Sequence, residues 1–189
     1  MSMIDVIIGK IVPHDCLGCG IEGSLLCFGC SAALPSFPSR CYRCHKPSVD
    51  RLTCCGCLSS GLARVAVATT YASTAKNLIW KLKLSGVQAA ATTMAKSMAP
   101  LIAGLDTIIV PVPTATSRMR QRGYDQAKLL ARELSRLTRL PYLDCLGRSG
   151  QMHQHGLSRA ERLSQLRAAY RVKRPAMVDG ANILLVDTL

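Results

Sequence analysis

At 189 residues the chain has room for one medium domain and a small module, and no apolar run approaches the roughly 18 residues that a membrane-spanning helix needs. Its net charge of +13 is unevenly spread: up to Ser60 five Lys or Arg stand against four Asp or Glu, and from Gly61 nineteen stand against seven. That excess points to phosphate-rich partners, a phosphorylated small molecule or a nucleic acid backbone, with a functionally silent basic surface as the plain alternative.

The N-terminus, MSMIDVIIGKIVPHD, lacks the basic start, long apolar stretch and small-residue cleavage site of an export signal, so a cytoplasmic location and reduced thiols are expected. Eight of the ten cysteines then form four Cys-x-x-Cys pairs: Cys16/Cys19, Cys27/Cys30, Cys41/Cys44 and Cys54/Cys57. Each pair can form a knuckle that points two thiolates at one ion, and two knuckles complete the all-sulfur tetrahedral shell of structural zinc. Two zinc ions are therefore expected rather than a disulfide scaffold, with Cys55 a bystander and Cys145 a core thiol. Neighbouring knuckles close shorter loops than a cross-braced arrangement and are favoured, but loop entropy grows only logarithmically with length, which leaves both pairings open. Between the knuckles lie Gly18, Gly20, Gly29, Pro35, Pro38, Pro47 and Gly56, with few large apolar residues. A first domain over residues 1–60 thus draws its fold largely from metal.

A second domain over residues 61–189 is expected to be α/β. Residues 64–71 alternate, with Val65, Val67, Thr69 and Tyr71 on one face, which is strand spacing. Ser73 or Thr74 can cap a helix that buries Leu78, Ile79 and Leu82 and turns Lys76, Lys81 and Lys83 to water. A further helix over 88–102, divided near Pro100, carries Ala91, Met94, Ala95 and Met98 inward. Residues 107–113, TIIVPVP, form an apolar run of buried-strand character that the prolines stop. From Asp125, the expected N-cap, Ala127, Leu130, Leu134 and Leu137 recur at helical spacing, with Lys128, Arg132, Arg136 and Arg139 outside. Ser158 and Glu161 form a capping box for a helix burying Leu163, Leu166 and Tyr170. Residues 182–187, NILLVD, suit a strand buried on both faces. Strands alternating with helices indicate a mostly parallel sheet, whose ligands bind at the carboxyl ends of strands, after IIVPVP and after ILLVD.

The loop between the first of these strands and the helix at Asp125, PTATSRMRQRGYD, sets Arg118, Arg120 and Arg122 at alternating positions before a helix N-terminus. Three guanidiniums together with helix-end N–H groups can hold a phosphate or diphosphate, and Arg148, Arg159 and Arg162 could extend that surface. A solvated basic loop is the alternative.

Taken in order, the four knuckles, WKLKLSG, VPVPT, RxRxRGYDQA, the arginine of LGR, MHQHGLSRAER and ILLVD resemble the ComF family over residues 16–187. The resemblance implies an N-terminal zinc ribbon joined to a type I phosphoribosyltransferase fold, and a part in competence, the handling of single-stranded DNA during uptake and transformation. It implies that Val112, Pro113 and Thr114 lie in the loop beside the diphosphate, that Arg118, Arg122 and Gln126 belong to an RGFNQA-like signature, and that Gln154 and Arg162 match the motif that follows. Phosphoribosyl diphosphate with magnesium, single-stranded DNA and DNA-uptake proteins are the implied partners, and no membrane insertion is expected.

Phosphoribosyl transfer needs carboxylates at a strand end for the ribose hydroxyls or hydrated metal, a glycine- and threonine-rich loop for the 5-phosphate, and cations where diphosphate departs. Asp187 is the carboxylate candidate. Three departures from the family stand out. Asp125 replaces Asn, exchanging an amide donor for an acceptor-only carboxylate. Gln165 stands where Asn is usual. After ILLVD the family continues into a second acidic residue and a Thr-Thr-Gly-Ala-Thr loop, whereas here the sequence reads Asp187, Thr188, Leu189. Weak or absent transferase activity, a fold incomplete at the C-terminus and an uncovered strand edge are the expectations. The main alternative is a non-catalytic, zinc-dependent single-strand binder on a transferase scaffold, with Tyr42 and Phe28 as stacking residues unless they pack beside the zinc. Aromatic residues, at 4% of the chain, limit such stacking.

Overall fold

A computed structural model describes residues 14–149, 164 and 169–188. They form two compact units, His14–Asn77 and the residues from Leu78 onward. The composition shift near residue 60 lies inside the first unit, because the segment beyond the last knuckle is tied back to it. Thr53 N–H donates to the Ala63 carbonyl at 2.8 Å, Leu52 bridges Arg64, and Thr69 Oγ1 donates to the Pro35 carbonyl at 2.8 Å. Residues 64–71, expected as a strand, make only that one bridge among the described residues. Among the described residues their alternation has no neighbouring ladder to pair with, and pattern without a partner does not make a sheet.

The first unit is built on two similar halves. Asp15 and Glu22 bridge across the first knuckle, and Arg40 and Pro47 bridge across the third. In both, the N–H four residues after the first cysteine returns to that cysteine's carbonyl: Gly20 to Cys16 at 2.8 Å, His45 to Cys41 at 2.9 Å. Both turn residues are left-handed, with φ of 76° and 60°, a conformation natural to glycine and costly for histidine. The second knuckle of each half opens a helical turn, α1 (Phe28–Ala32) after Cys27 and a 3-10 turn, Cys55–Ser60, after Cys54. Among the described residues of this unit the buried apolar side chains are few, chiefly Leu25, Leu26, Cys16 and Cys41, as expected of a module with little core.

In the second unit, β1 (Ile108–Pro111) pairs in parallel with β4 (Ile183–Val186), Ile108 opposite Ile183. On its other side β1 is bridged in parallel by Tyr142, with Ile109 bonded to Pro141 and Leu143. Helix α5 (Gln126–Thr138) packs on this sheet, and helix α3 (Ala89–Met98) packs against α5. Their small and leucine faces, Ala95, Leu130, Ala131 and Leu134, enclose Ile109 and Val186. Pro100 falls in a 3-10 turn, Ala99–Leu101, that ends the run from α3. Helix α2 (Ser73–Leu84) buries Ala75, Leu78 and Leu82. The architecture is mixed α/β with a small parallel sheet, as expected.

Three local expectations change. Between β1 and α5 the basic segment is not an open loop but a short helix, α4 (Thr116–Arg122), closed by Gly123 at φ 78°. Tyr170 lies in β3 (Tyr170–Val172), which pairs antiparallel with β2 (Leu146–Arg148), rather than on a helix. Strand β4 is not buried on both faces: Ile183 and Leu185 are 39% and 49% exposed, because α5 and the core cluster cover the face that carries Val186. The capping box at Ser158 and Glu161, with Arg159, Leu163, Gln165 and Leu166, lies outside the described residues.

Candidate metal centres and a candidate anion cleft

Each pair of neighbouring knuckles converges: the sulfurs of Cys16, Cys19, Cys27 and Cys30 lie within 4.8 Å of one another, and so do those of Cys41, Cys44, Cys54 and Cys57. Four sulfurs set tetrahedrally at about 2.3 Å from one zinc ion lie about 3.8 Å apart. Across the knuckles, Cys19 to Cys27 and Cys44 to Cys54 both measure 3.7 Å. The cross-braced arrangement is thereby excluded, and the donor set and spacing fit two structural zinc ions.

Backbone N–H groups complete the sulfur environment. Gly18 and Cys27 donate to Cys16 Sγ at 3.4 and 3.3 Å, and Cys30 donates to Cys27 Sγ at 3.4 Å. Such donors, led by Cys27 N–H, lower the Cys16 thiol to about 6. Those of Cys44, Cys54 and Arg43 bring Cys41 to about 6 against its burial. The last sulfurs move the other way. Hydrogen bonding to Cys27, Cys19 and Cys16 raises Cys30 to about 12, and bonding to Cys54, followed by burial and bonding to Cys44 and Cys41, raises Cys57 to about 12. Four neighbouring sulfurs cannot all ionise without a cation between them, and a divalent metal supplies it. Gly18 is the residue the cysteine pattern did not reveal: a Cβ there would sit 2.6 Å from Cys30 Sγ. Its position inside the first Cys-x-x-Cys was the available signal. Cys55 is exposed and Cys145 is buried, as expected of a bystander and a core thiol.

In the α/β unit the two loops of interest follow directly paired strands, so the carboxyl ends of β1 and β4 lie side by side. Val112 N–H donates to the Val186 carbonyl at 2.9 Å, while Pro113 is buried and Thr114 half-buried. Asp125 binds this loop to α5: its Oδ1 accepts from Thr114 Oγ1 at 2.9 Å, Ala127 N–H at 3.0 Å and Lys128 N–H at 3.2 Å, and its Oδ2 from Thr114 N–H at 3.3 Å. All four partners donate, which suits an acceptor-only carboxylate. Two of the helix-end N–H groups that were expected to hold phosphate, those of Ala127 and Lys128, are therefore occupied by Asp125.

Gln126 is buried, and its Oε1 accepts from Arg122 Nη1 at 2.8 Å. Arg118 and Arg120 are exposed on α4, Arg118 one turn before Arg122 and on its face. Asp187 follows β4, its Oδ1 accepting from Thr188 N–H at 2.7 Å. A cleft of about 320 Å³ beside them is lined by Lys83, Leu84, Gly86, Gln121, Arg122 and Tyr124. Lys83, expected to face water, is half-buried instead and donates from Nζ to the Thr188 carbonyl at 2.6 Å. The hydroxyl of Tyr124 donates to the Leu82 carbonyl. Arg148 is elsewhere, in β2, with its guanidinium 5.5 Å from the Tyr170 ring centre. Gln154 and Arg162 lie outside the described residues.

No family model, curated protein or solved structure matches this chain. Among the described residues no helix is long and apolar enough to cross a membrane.

Proposed function

We propose that this chain is a ComF-like protein in which two structural zinc ions hold the Cys-rich unit and the α/β unit binds phosphoribosyl diphosphate or a related phosphorylated ligand. One observation carries the ligand assignment. The carboxyl ends of β1 and β4 are adjacent, with Asp187 at one and two hydrogen-bonded pairs, Thr114–Asp125 and Arg122–Gln126, at the other. Parallel sheets bind ligands at this edge, and guanidiniums recognise phosphate with directed donors. Magnesium would be held through the ligand's own oxygens and Asp187, since Asp125 is already committed. Magnesium supplies charge neutralisation at the diphosphate. Arg122, positioned by Gln126, would face the leaving group, where negative charge grows.

The test is a thermal unfolding scan of the zinc-loaded chain with and without phosphoribosyl diphosphate and magnesium. A ligand that binds only the folded state raises the midpoint, and an unmoved midpoint at millimolar ligand rejects the assignment. Diphosphate release with a panel of bases then separates a binder from a transferase.

A second role, holding single-stranded DNA, is favoured by Phe28. This ring stands on α1 with 90% of its surface exposed, which leaves it open to stack on a base rather than packed beside the first zinc group. Binding through several phosphates falls steeply with salt, and Phe28→Ala removes the affinity that survives at high salt if stacking contributes.

A further inference from the structure

We infer that Lys83, which lies outside the arginine-bearing segment, is a diphosphate-binding residue that joins the anion to the end of β4. The inference rests on the ligand assignment above and deepens it. Four observations meet at this residue. First, Lys83 lines the cleft together with Arg122, Gln121 and Tyr124. Second, its ammonium makes one described hydrogen bond, to the Thr188 carbonyl at 2.6 Å. An ammonium has three donors, so two remain for a ligand.

Third, among the described residues no carboxylate forms an ion pair with Lys83, Arg118 or Arg122, and Asp187 is the acidic group whose charge reaches Lys83. Three cations against one carboxylate leave a local positive excess that an anion of two or more charges would offset. Burial, opposed by Asp187 and reinforced by Arg122 and Arg118, holds the Lys83 ammonium below its ordinary value, as expected of a cation short of counter-charge.

Fourth, the backbone around Lys83 is anchored. Tyr124 donates to the Leu82 carbonyl, Gly86 turns the chain at φ 69°, and Val87 N–H returns to the Lys81 carbonyl at 3.1 Å. A fixed backbone limits the ordering cost when the side chain takes an anion. Diphosphate fits better than a single small anion, because its two ends can span Lys83 and the Arg122 face. Bonded to both the anion and the Thr188 carbonyl, Lys83 would make occupancy of the cleft stabilise the segment carrying Asp187.

The experiment is calorimetric titration of the zinc-loaded full chain with inorganic diphosphate, and separately with phosphoribosyl diphosphate and magnesium. It uses the native sequence, Lys83→Met, Lys83→Arg and Lys96→Ala. Lys96 on α3 is outside the cleft, and its loss changes net charge by the same amount. Lys83→Met is expected to weaken diphosphate about ten-fold, the effect of one charge-assisted hydrogen bond. Lys83→Arg should recover part of that loss, and Lys96→Ala should stay within about two-fold. Unliganded melting curves accompany each variant: a merely structural role would lower the unliganded midpoint and leave the diphosphate affinity unchanged, which overturns the inference. So does an equal loss in Lys96→Ala, which would assign the effect to net charge. Native binding with Lys83→Met unchanged rejects Lys83 alone and leaves the ligand assignment intact, whereas no binding by the native chain rejects both.

Discussion

Gly18 shows how a side chain's absence can decide a metal site. Its missing Cβ leaves room for Cys30 Sγ, which would otherwise be met at 2.6 Å, well inside van der Waals contact. Gly18→Ala is therefore expected to reduce bound zinc from two ions per chain towards one. Gly29→Ala, with nothing within 4 Å of the added carbon, should retain both, as metal analysis after desalting will read. In the other unit, Lys128 donates to Asp144 at 2.6 Å and Lys173 lies 3.7 Å from the same carboxylate. Burial pushes the Asp144 carboxyl up, but the Lys128 hydrogen bond and the charges of Lys128, Lys173 and Arg132 outweigh it, and the group lies below its ordinary 3.8. A carboxyl depressed in the folded state contributes stability at pH above its unfolded value, and that contribution disappears as pH falls through the folded value. The melting difference between the native chain and Asp144→Asn should accordingly be constant from pH 7 to 5 and close below 3.8. A difference that persists in acid would mean that packing, not charge, is responsible.

Among the elements, α5 has the most to lose. Asp125 caps it, and Leu130, Ala131 and Leu134 place it in the core against Ile109 and Val186. Leu134→Ala should cost about 2–5 kcal/mol in denaturant unfolding, through lost burial and the cavity left behind. On β4, Leu185 is 49% exposed, and its change to Ala should stay within about 0.5 kcal/mol. An equal effect at the two positions would show that something covers the outer face of β4 in solution. The start of the same helix suits a carboxylate at position 125. Two donors from α5 and two from Thr114 want a full carboxylate, whereas an amide nitrogen would turn towards at least one of them.

For the whole molecule, the two units depend on different forces. His14–Asn77 buries little apolar surface and gathers eight sulfurs, so its order follows metal. The residues from Leu78 onward have an apolar cluster of their own around Ile109. Chelation should therefore abolish amide-exchange protection in peptides from His14–Asn77 and largely preserve it in α3, β1 and α5. Protection lost in both at the same chelator concentration would show that the units fold as one.

The cysteine knuckles, helices α2, α3 and α5 and the core strands were legible in the sequence because their causes are local. A Cys-x-x-Cys spacing makes a knuckle within four residues, Asp125 caps its own helix, and 3.6-residue periodicity marks the buried faces of α2, α3 and α5. Other features depend on what the chain meets after it folds. The alternation of residues 64–71 could not reveal that no ladder of the described residues lies beside it, and the apolar run at ILLV could not say that one face stays open. Lys83 has the same pattern as Lys76, which is exposed on α2. Only the convergence of α2, α4 and the end of β4 withdraws it from water and sets it among Arg118, Arg122 and Asp187. Sequence by itself determined the thiolate chemistry and the periodic elements, which act over a few residues. Which sulfurs share an ion, which strands become neighbours and which cations face one cleft were decided by tertiary structure, because each joins groups that are distant in the chain and whose loop-closure entropy only the assembled core or metal shell can offset.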